Sequence, residues 1–284
     1  MKRAFDPKSN HSTTEEASLA GETQSCYPSE QTSLMRFFKR PRLAPYDIRV
    51  AKYFPGKSPP AMAGYKTILI HTRGDNLGGD LSPFVLRNEK GQLLENIWQF
   101  SKVYARVSQQ RTSLSRFQPQ QIIWEHPNEE HVRDGVILPA YWAWREKGYQ
   151  NGYAVRYPNG LQGRRECLFS LWPNDDDPSQ YDRLDYISAR KKIYCGEYIR
   201  LAPATPHFKK LTALLEGGQP LLIAEVDGPD PKLSFPPYDK LSEQAPGLKI
   251  DEAVIKLLLN DQRKPFGHGY VLAALLLGGA EWLQ

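Results

Sequence analysis

Leu94-Glu95-Asn96-Ile97-Trp98-Gln99-Phe100-Ser101-Lys102-Val103-Tyr104-Ala105-Arg106-Val107 is the stretch whose reading decides the fold, because its two sides can be told apart by a 3.6-residue period. Ile97, Phe100, Tyr104 and Val107 fall on one side, and Glu95, Trp98, Gln99 and Lys102 on the other. The spacing predicts a single helix over 94–107. A solvated helix face seldom spends a tryptophan, so the second quartet reads as the wall of a cleft.

Working outward, Pro55, Pro59 and Pro60 mark Tyr46–Tyr65 as a connector, and Lys66–His71 has the β-branched and aliphatic content of a buried strand. Gly74, Gly78 and Gly79 interrupt the chain, and Asn88–Gly91 reads as a turn. Pro139–Lys147 is aromatic-rich, and Trp172–Tyr181 is a Pro, Asp and Ser loop. Helices are expected at Leu184–Leu201, at Pro206–Glu216 with Gly217-Gly218 at its end, at Asp251–Leu259 and around Tyr270–Leu277. Pro220–Val226 is a strand candidate that Asp227-Gly228-Pro229-Asp230 terminates. These elements predict an α+β fold, a predominantly helical single domain over 46–284 with a few strands.

Composition bounds the function classes. The 284 residues are 40% hydrophobic and 24% charged, room for one good core or two small ones, and the net charge of +5 permits a polyanionic partner without requiring one. Cys26, Cys167 and Cys195 have no paired spacing, which argues against a disulfide framework or a thiolate metal site and for a reducing intracellular compartment. The polar start Met1–Lys8 and the short apolar run Val271–Leu277 speak against secretion and membrane spanning.

Residues 1–45 read as a disordered tail, since 1–30 almost lacks the branched and aromatic residues that would offset chain entropy. Within it stands Gln31-Thr32-Ser33-Leu34-Met35-Arg36-Phe37-Phe38, followed by Lys39-Arg40-Pro41-Arg42. Leu34, Phe37 and Phe38 lie at i, i+3 and i+4, so one helical turn presents all three to a partner's groove while Gln31 bonds at its edge. This pattern resembles the PIP box, the peptide by which replication and repair proteins bind the eukaryotic sliding clamp, proliferating cell nuclear antigen. The resemblance implies that partner, DNA nearby and a nuclear location. The basic cluster at 39–42 reads equally as an import signal, a docking aid or a solvated charge run. The bland alternative for 31–38 is an amphipathic turn that docks back on its own domain.

Glu95-Asn96-Ile97-Trp98-Gln99-Phe100-Ser101-Lys102 also resembles the Glu-His-x-Tyr-Gln-x-x-Lys helix of the NADAR family. Asn96 stands at the family's usual histidine and Trp98 at its tyrosine. Leu81-Ser82-Pro83-Phe84 is similar to the segment before that helix, and Ala189–Lys192 through Leu221–Asp227 to its later helix, helix, strand and acidic end. The family's Trp-Gly-x-Gly segment has at best a displaced relative in Pro265–Tyr270, and Trp124–Gln180 has no clear counterpart. Family members are N-glycosidases acting on ribosyl substrates, including ADP-ribose on guanine. The resemblance therefore implies cleavage of a C–N bond at an anomeric carbon, with an oxocarbenium-like transition state and a positioned water.

On that resemblance Glu95 is the candidate catalytic carboxylate, and Asp227 is a second. Trp98 and Gln99 would bracket a base or ribose, Lys102 and Arg190 would hold phosphate, Glu225 would meet ribose hydroxyls, and His268 would reach the ligand between two glycines. Each has a plainer reading. Glu95 would complement a helix dipole, Asp227 would form a turn, Arg190 would belong to a solvated face with Lys191 and Lys192, and His268 would be structural. Asp175-Asp176-Asp177 lacks a matched second cluster and the glycines lack a P-loop Lys-Ser/Thr, so neither a metal nor a bound cofactor is expected. Three functions follow: a clamp-tethered hydrolase acting on ADP-ribosylated or modified bases in DNA, a non-enzymatic clamp-associated adaptor that binds nucleotide or modified DNA, and a hydrolase of free ribosyl compounds.

Overall fold

The computed structural model describes residues 46–70, 78–107, 129–155, 166–228 and 246–284. Gln31, Leu34, Phe37, Phe38, the basic cluster 39–42 and the rest of the expected tail lie outside the described residues, as does His71.

Its central strand is β8, Leu221–Glu225, in which every residue is buried. The unbroken apolar run Leu221–Ala224 suits a parallel strand covered on both faces. β8 pairs in parallel with β1 (Ile48–Lys52) on one side and β2 (Lys66–Leu69) on the other, and β9 (Leu248–Lys249) adds antiparallel to β1. The carboxyl ends of three strands therefore gather at one edge, with Lys52 opposite Glu225. A second sheet is antiparallel, in the order β3 (Lys102–Tyr104), β6 (Cys167–Pro173) and β7 (Tyr181–Leu184). A hairpin, β4 (Val132–Arg133) and β5 (Val136–Ile137), turns through Asp134 and Gly135, both at positive φ, which matches the right-handed twist of its strands.

Six helices are named here among the described residues. α1 is Leu94–Phe100 and α2 is Pro139–Tyr149. α3 runs through Tyr186–Ala189, a π-helical turn Arg190–Cys195, and Gly196–Leu201. α4 is Pro206–Glu216, α5 is Glu252–Asn260 and α6 is His268–Leu276. The fold mixes helix and strand, with helix in excess. All described residues belong to one compact unit, and no helix among them is long and apolar enough to cross a membrane.

The helix expected over 94–107 ends early. Ser101 turns its hydroxyl back onto the Ile97 carbonyl at 2.7 Å, its own carbonyl accepts from Leu171 N–H at 2.7 Å, and Lys102–Tyr104 leaves as β3. Cross-strand pairing captured Val103 and Tyr104, whose side chains favour a pleated surface. The two-faced pattern is real but separates something else: all seven residues of α1 are buried, with Leu94, Ile97 and Trp98 in the core of the parallel sheet and Phe100 in a second core with Val103, Tyr104, Tyr141 and Trp144. Gly148 of α2 makes this close approach possible, since a Cβ there would lie 2.1 Å from the Phe100 ring.

Three other expectations shift, the first being the connector read over Tyr46–Tyr65, which holds β1. Leu184 ends β7, and α3 starts only after Asp185, whose carboxylate accepts from Ser188 N–H at 2.7 Å. The 172–181 loop is the turn of the β6–β7 hairpin, organised by Asn174 Oδ1, which accepts from the backbone of Asp176 and Asp177 at 2.9 and 3.0 Å. The helix over Pro206–Glu216 forms as expected, with Thr205 capping it through Phe208 N–H at 3.1 Å.

Asn96, fully buried, ties α1 to the segment after α2. Its Nδ2 donates to the carbonyls of Asn151 and Tyr153 at 3.0 and 2.9 Å, and its Oδ1 accepts from Val155 N–H at 2.7 Å. Asn96→Ala strands three backbone groups, and a loss of roughly 2–4 kcal/mol is expected as a lower urea midpoint at unchanged slope.

Candidate functional site

Glu225 closes β8 and is 6% exposed. Oε2 accepts from Gly269 N–H at 2.6 Å, in the first turn of α6, and Oε1 accepts from Asp227 N–H at 2.8 Å. The glycines beside His268 exist for this carboxylate: a Cβ on Gly267 would sit 2.2 Å from Glu225 Cδ, and one on Gly269 would sit 3.0 Å from Oε2. The φ of Gly267, −86°, is open to any residue, so space and not backbone freedom demands glycine there. Burial pushes Glu225 up to about 7, the charge of Asp227 adds to the rise, and the N–H groups of Asp227, Gly269 and Val226 oppose it. Lys52 braces the same corner by donating to the carbonyls of Val226 and Gly228 at 2.5 and 3.3 Å, which fixes the turn carrying the half-buried Asp227.

From the other side, α1 brings a buried relay. Gln99 Nε2 donates to Glu95 Oε1 at 2.8 Å, and Lys102 Nζ donates to Gln99 Oε1 at 2.8 Å. The Lys102 ammonium also lies 4.4 Å from the centroid of the Trp98 ring. The helical spacing explains the first bond; the second uses the turn at Ser101, after which Lys102 leaves the helix yet still reaches back.

Tyr194, on the π-helical turn of α3, joins the two groups. Its ring meets Trp98 edge-on at 5.2 Å and lies against His268 at 3.8 Å with 34° between planes. Burial holds its phenol well above the ordinary range, and the charges of Glu225, Asp227 and Glu95 add to that in this order. Tyr198, one turn on, lies 4.9 Å from His268 and donates to Leu81 O at 2.9 Å. Sequence reading passed over Tyr194 and Tyr198; their i, i+4 spacing was visible, but the π turn that aims them was not.

Arg190 takes another place. It is 1% exposed, its Nη1 donates to the carbonyls of Leu258, Leu259 and Asp261 at 3.2, 2.7 and 3.2 Å, and its Nη2 donates to Lys264 O at 2.9 Å. Those contacts give it the task of satisfying the carboxyl end of α5, away from the relay. Its neighbour Lys192 pairs at 3.0 Å with both Asp175 and Asp182. His268 is buried among Tyr194 and Tyr198.

Chemically, the arrangement offers carboxylates from two separate elements around a tyrosine, an ammonium over an indole, and stacked aromatic rings. Compared with protein-family models, curated proteins and solved structures, the chain has no match.

Because Glu225 is harder to ionise in the folded chain than in the unfolded one, the unfolded state loses its proton first as pH rises. Its neutral form is without penalty below the ordinary carboxyl pKa near 4.5, and stability falls as pH rises from there through about 7, by an amount on the order of 3 kcal/mol. Urea titrations across that window should show this slope flattened in Glu225→Gln; an unchanged slope refutes the assignment.

Proposed function

We propose that the protein is an N-glycosidase-type hydrolase acting on ADP-ribosylated or otherwise modified nucleobases in DNA, brought to its substrate in the nucleus by a clamp-binding peptide at Gln31–Phe38. The observation that carries the reading is the aromatic contact that joins the two groups: the Tyr194 ring meets Trp98 of α1 edge-on at 5.2 Å and lies against His268 at 3.8 Å, next to Gly269, whose N–H donates to Glu225 at 2.6 Å. Cleaving a glycosidic C–N bond needs a negative charge near the anomeric carbon and a group that manages the water's proton. Glu95 supplies the first in this reading, oriented by Gln99. Asp227 supplies the second, held in place because Glu225 fixes its backbone N–H and Lys52 fixes its turn. Trp98 gives a ring face for base or ribose. The resemblance of 95–102 to the NADAR helix supports the same reaction class, and tethering raises the local concentration of a slow catalyst on a polymeric substrate.

Incubation with guanine-ADP-ribosylated DNA should release free ADP-ribose, and Glu95→Gln should lower kcat by about 10²-fold or more without lowering the melting temperature. Wild-type protein that binds this DNA without turnover is an adaptor; turnover confined to free ribosyl compounds makes it a small-molecule hydrolase. For the tether, joint Phe37→Ala and Phe38→Ala should abolish clamp binding in calorimetry, and retained affinity refutes the motif.

A further inference from the structure

Arg145 of α2 is 6% exposed, yet it lacks the acceptors that Arg190 enjoys. Where Arg190 meets four carbonyls, the Nη1 of Arg145 lies out of water with no hydrogen-bond partner. What surrounds its guanidinium is aromatic: the rings of Trp142, Tyr149 and Tyr181 at 5.5, 5.0 and 4.9 Å. Rings offset part of the cost of burying a cation, but an unmet donor on a buried charge stays expensive.

Tyr181 is the most exposed of the three rings, at 41%, and it opens β7, an edge strand of the antiparallel sheet. Its ring meets Trp142 at 4.9 Å. Two residues on, and so on the same face of the strand, Arg183 lies exposed with its guanidinium 4.8 Å from the Phe169 ring and its Nη2 donating to Gly135 O at 2.8 Å. Neither Arg145 nor Arg183 has an acidic partner among the described residues, whereas Arg133, Lys192 and Arg200 all do. Asp182, between Tyr181 and Arg183, belongs to the opposite face and is held by Lys192 and Asn174. Tyr149 links this face to the end of α1, its hydroxyl 2.7 Å from Ser101 Oγ, one residue before Lys102.

We infer that α2 and β7 together form a docking surface for single-stranded DNA, with bases stacking on Tyr181 and Trp142 and the phosphates met by Arg183 and, once the Tyr181 ring turns aside, by Arg145. Exposed rings beside arginines that have no carboxylate of their own complement a chain of bases and phosphates. A single strand suits them better than a duplex, whose bases already stack on one another. The surface stands on its own contacts; that it feeds DNA to the candidate site rests on the hydrolase reading above.

The test is fluorescence anisotropy with the full chain and a labelled oligothymidylate of about a dozen nucleotides, beside the matching duplex and labelled heparin as a polyanion without bases. The single strand should bind about tenfold more tightly than the duplex. Tyr181→Ala should weaken strand binding about fivefold or more and leave heparin binding unchanged. Arg183→Gln should lower the slope of log affinity against log salt by about 0.7, the loss of one phosphate contact on a single strand. Arg145→Lys keeps the charge and removes the planar fork, and about fivefold weaker binding is expected at an unchanged melting temperature. If that variant unfolds, the two exposed positions decide. No binding of the single strand, equal binding of the duplex, or affinity indifferent to both Tyr181→Ala and Arg183→Gln overturns the surface, and so does an equal loss of heparin binding in Tyr181→Ala. Strand binding at this face without release of ADP-ribose keeps the surface and removes the hydrolase. Release from subsaturating modified DNA that neither exposed substitution alters keeps the hydrolase and removes the surface.

Discussion

A carboxylate at the end of a central strand and out of water is the constraint around which the rest of the molecule is arranged. Glu225 must find donors where it is buried, and it takes them from Gly269 at the start of α6 and from its own following turn. That demand fixes how near α6 approaches β8, and it dictates glycine at 267 and 269. Once α6 is seated, His268 has to lie against α3, where Tyr194 and Tyr198 receive it. The aromatic wall and the position of Asp227 are thus consequences of satisfying one acid.

α1 supplies the complementary half by belonging to two cores at once. Its carboxyl end is held by α2: Tyr141 donates to the carbonyls of Phe100 and Ser101 at 3.3 and 3.2 Å, and the Tyr149 hydroxyl meets Ser101 Oγ at 2.7 Å. Asn96 anchors its middle. With so many fixed points, the relay from Glu95 to Lys102 is pre-organised rather than assembled on demand. Arg145 completes the clamp, its guanidinium enclosed by the rings of Trp142, Tyr149 and Tyr181 at 5.5, 5.0 and 4.9 Å.

Much of this was legible before any coordinates. Pro206 and the paired glycines at 217 and 218 bracket a helix because their backbone preferences are local, and the apolar run Leu221–Ala224 marks a strand inside the candidate at Pro220–Val226. Glu95, Gln99 and Lys102 were legible as a set through their spacing. What escaped depended on distant partners. The break at Ser101 is imposed by β6, more than sixty residues later in the chain. Arg190 looked like one of three exposed cations because nothing nearby in sequence reveals that four carbonyls from 258–264 converge on it. The glycines around His268 suggested freedom for a ligand, whereas they mark the volume of another residue's side chain.

The order of strands in the parallel sheet carries a consequence for how the chain matures. β1 and β2 never touch as ladder partners; β8 lies between them, with Ile48 and Lys66 both in register with Leu221. Their first contacts therefore wait until most of the polypeptide has left the ribosome, which places this sheet among slow, non-local assemblies. Through that interval two sticky early strands travel without a mate. A nascent chain that stalls before residue 221 is a natural client for chaperones, whatever its early segments have already formed.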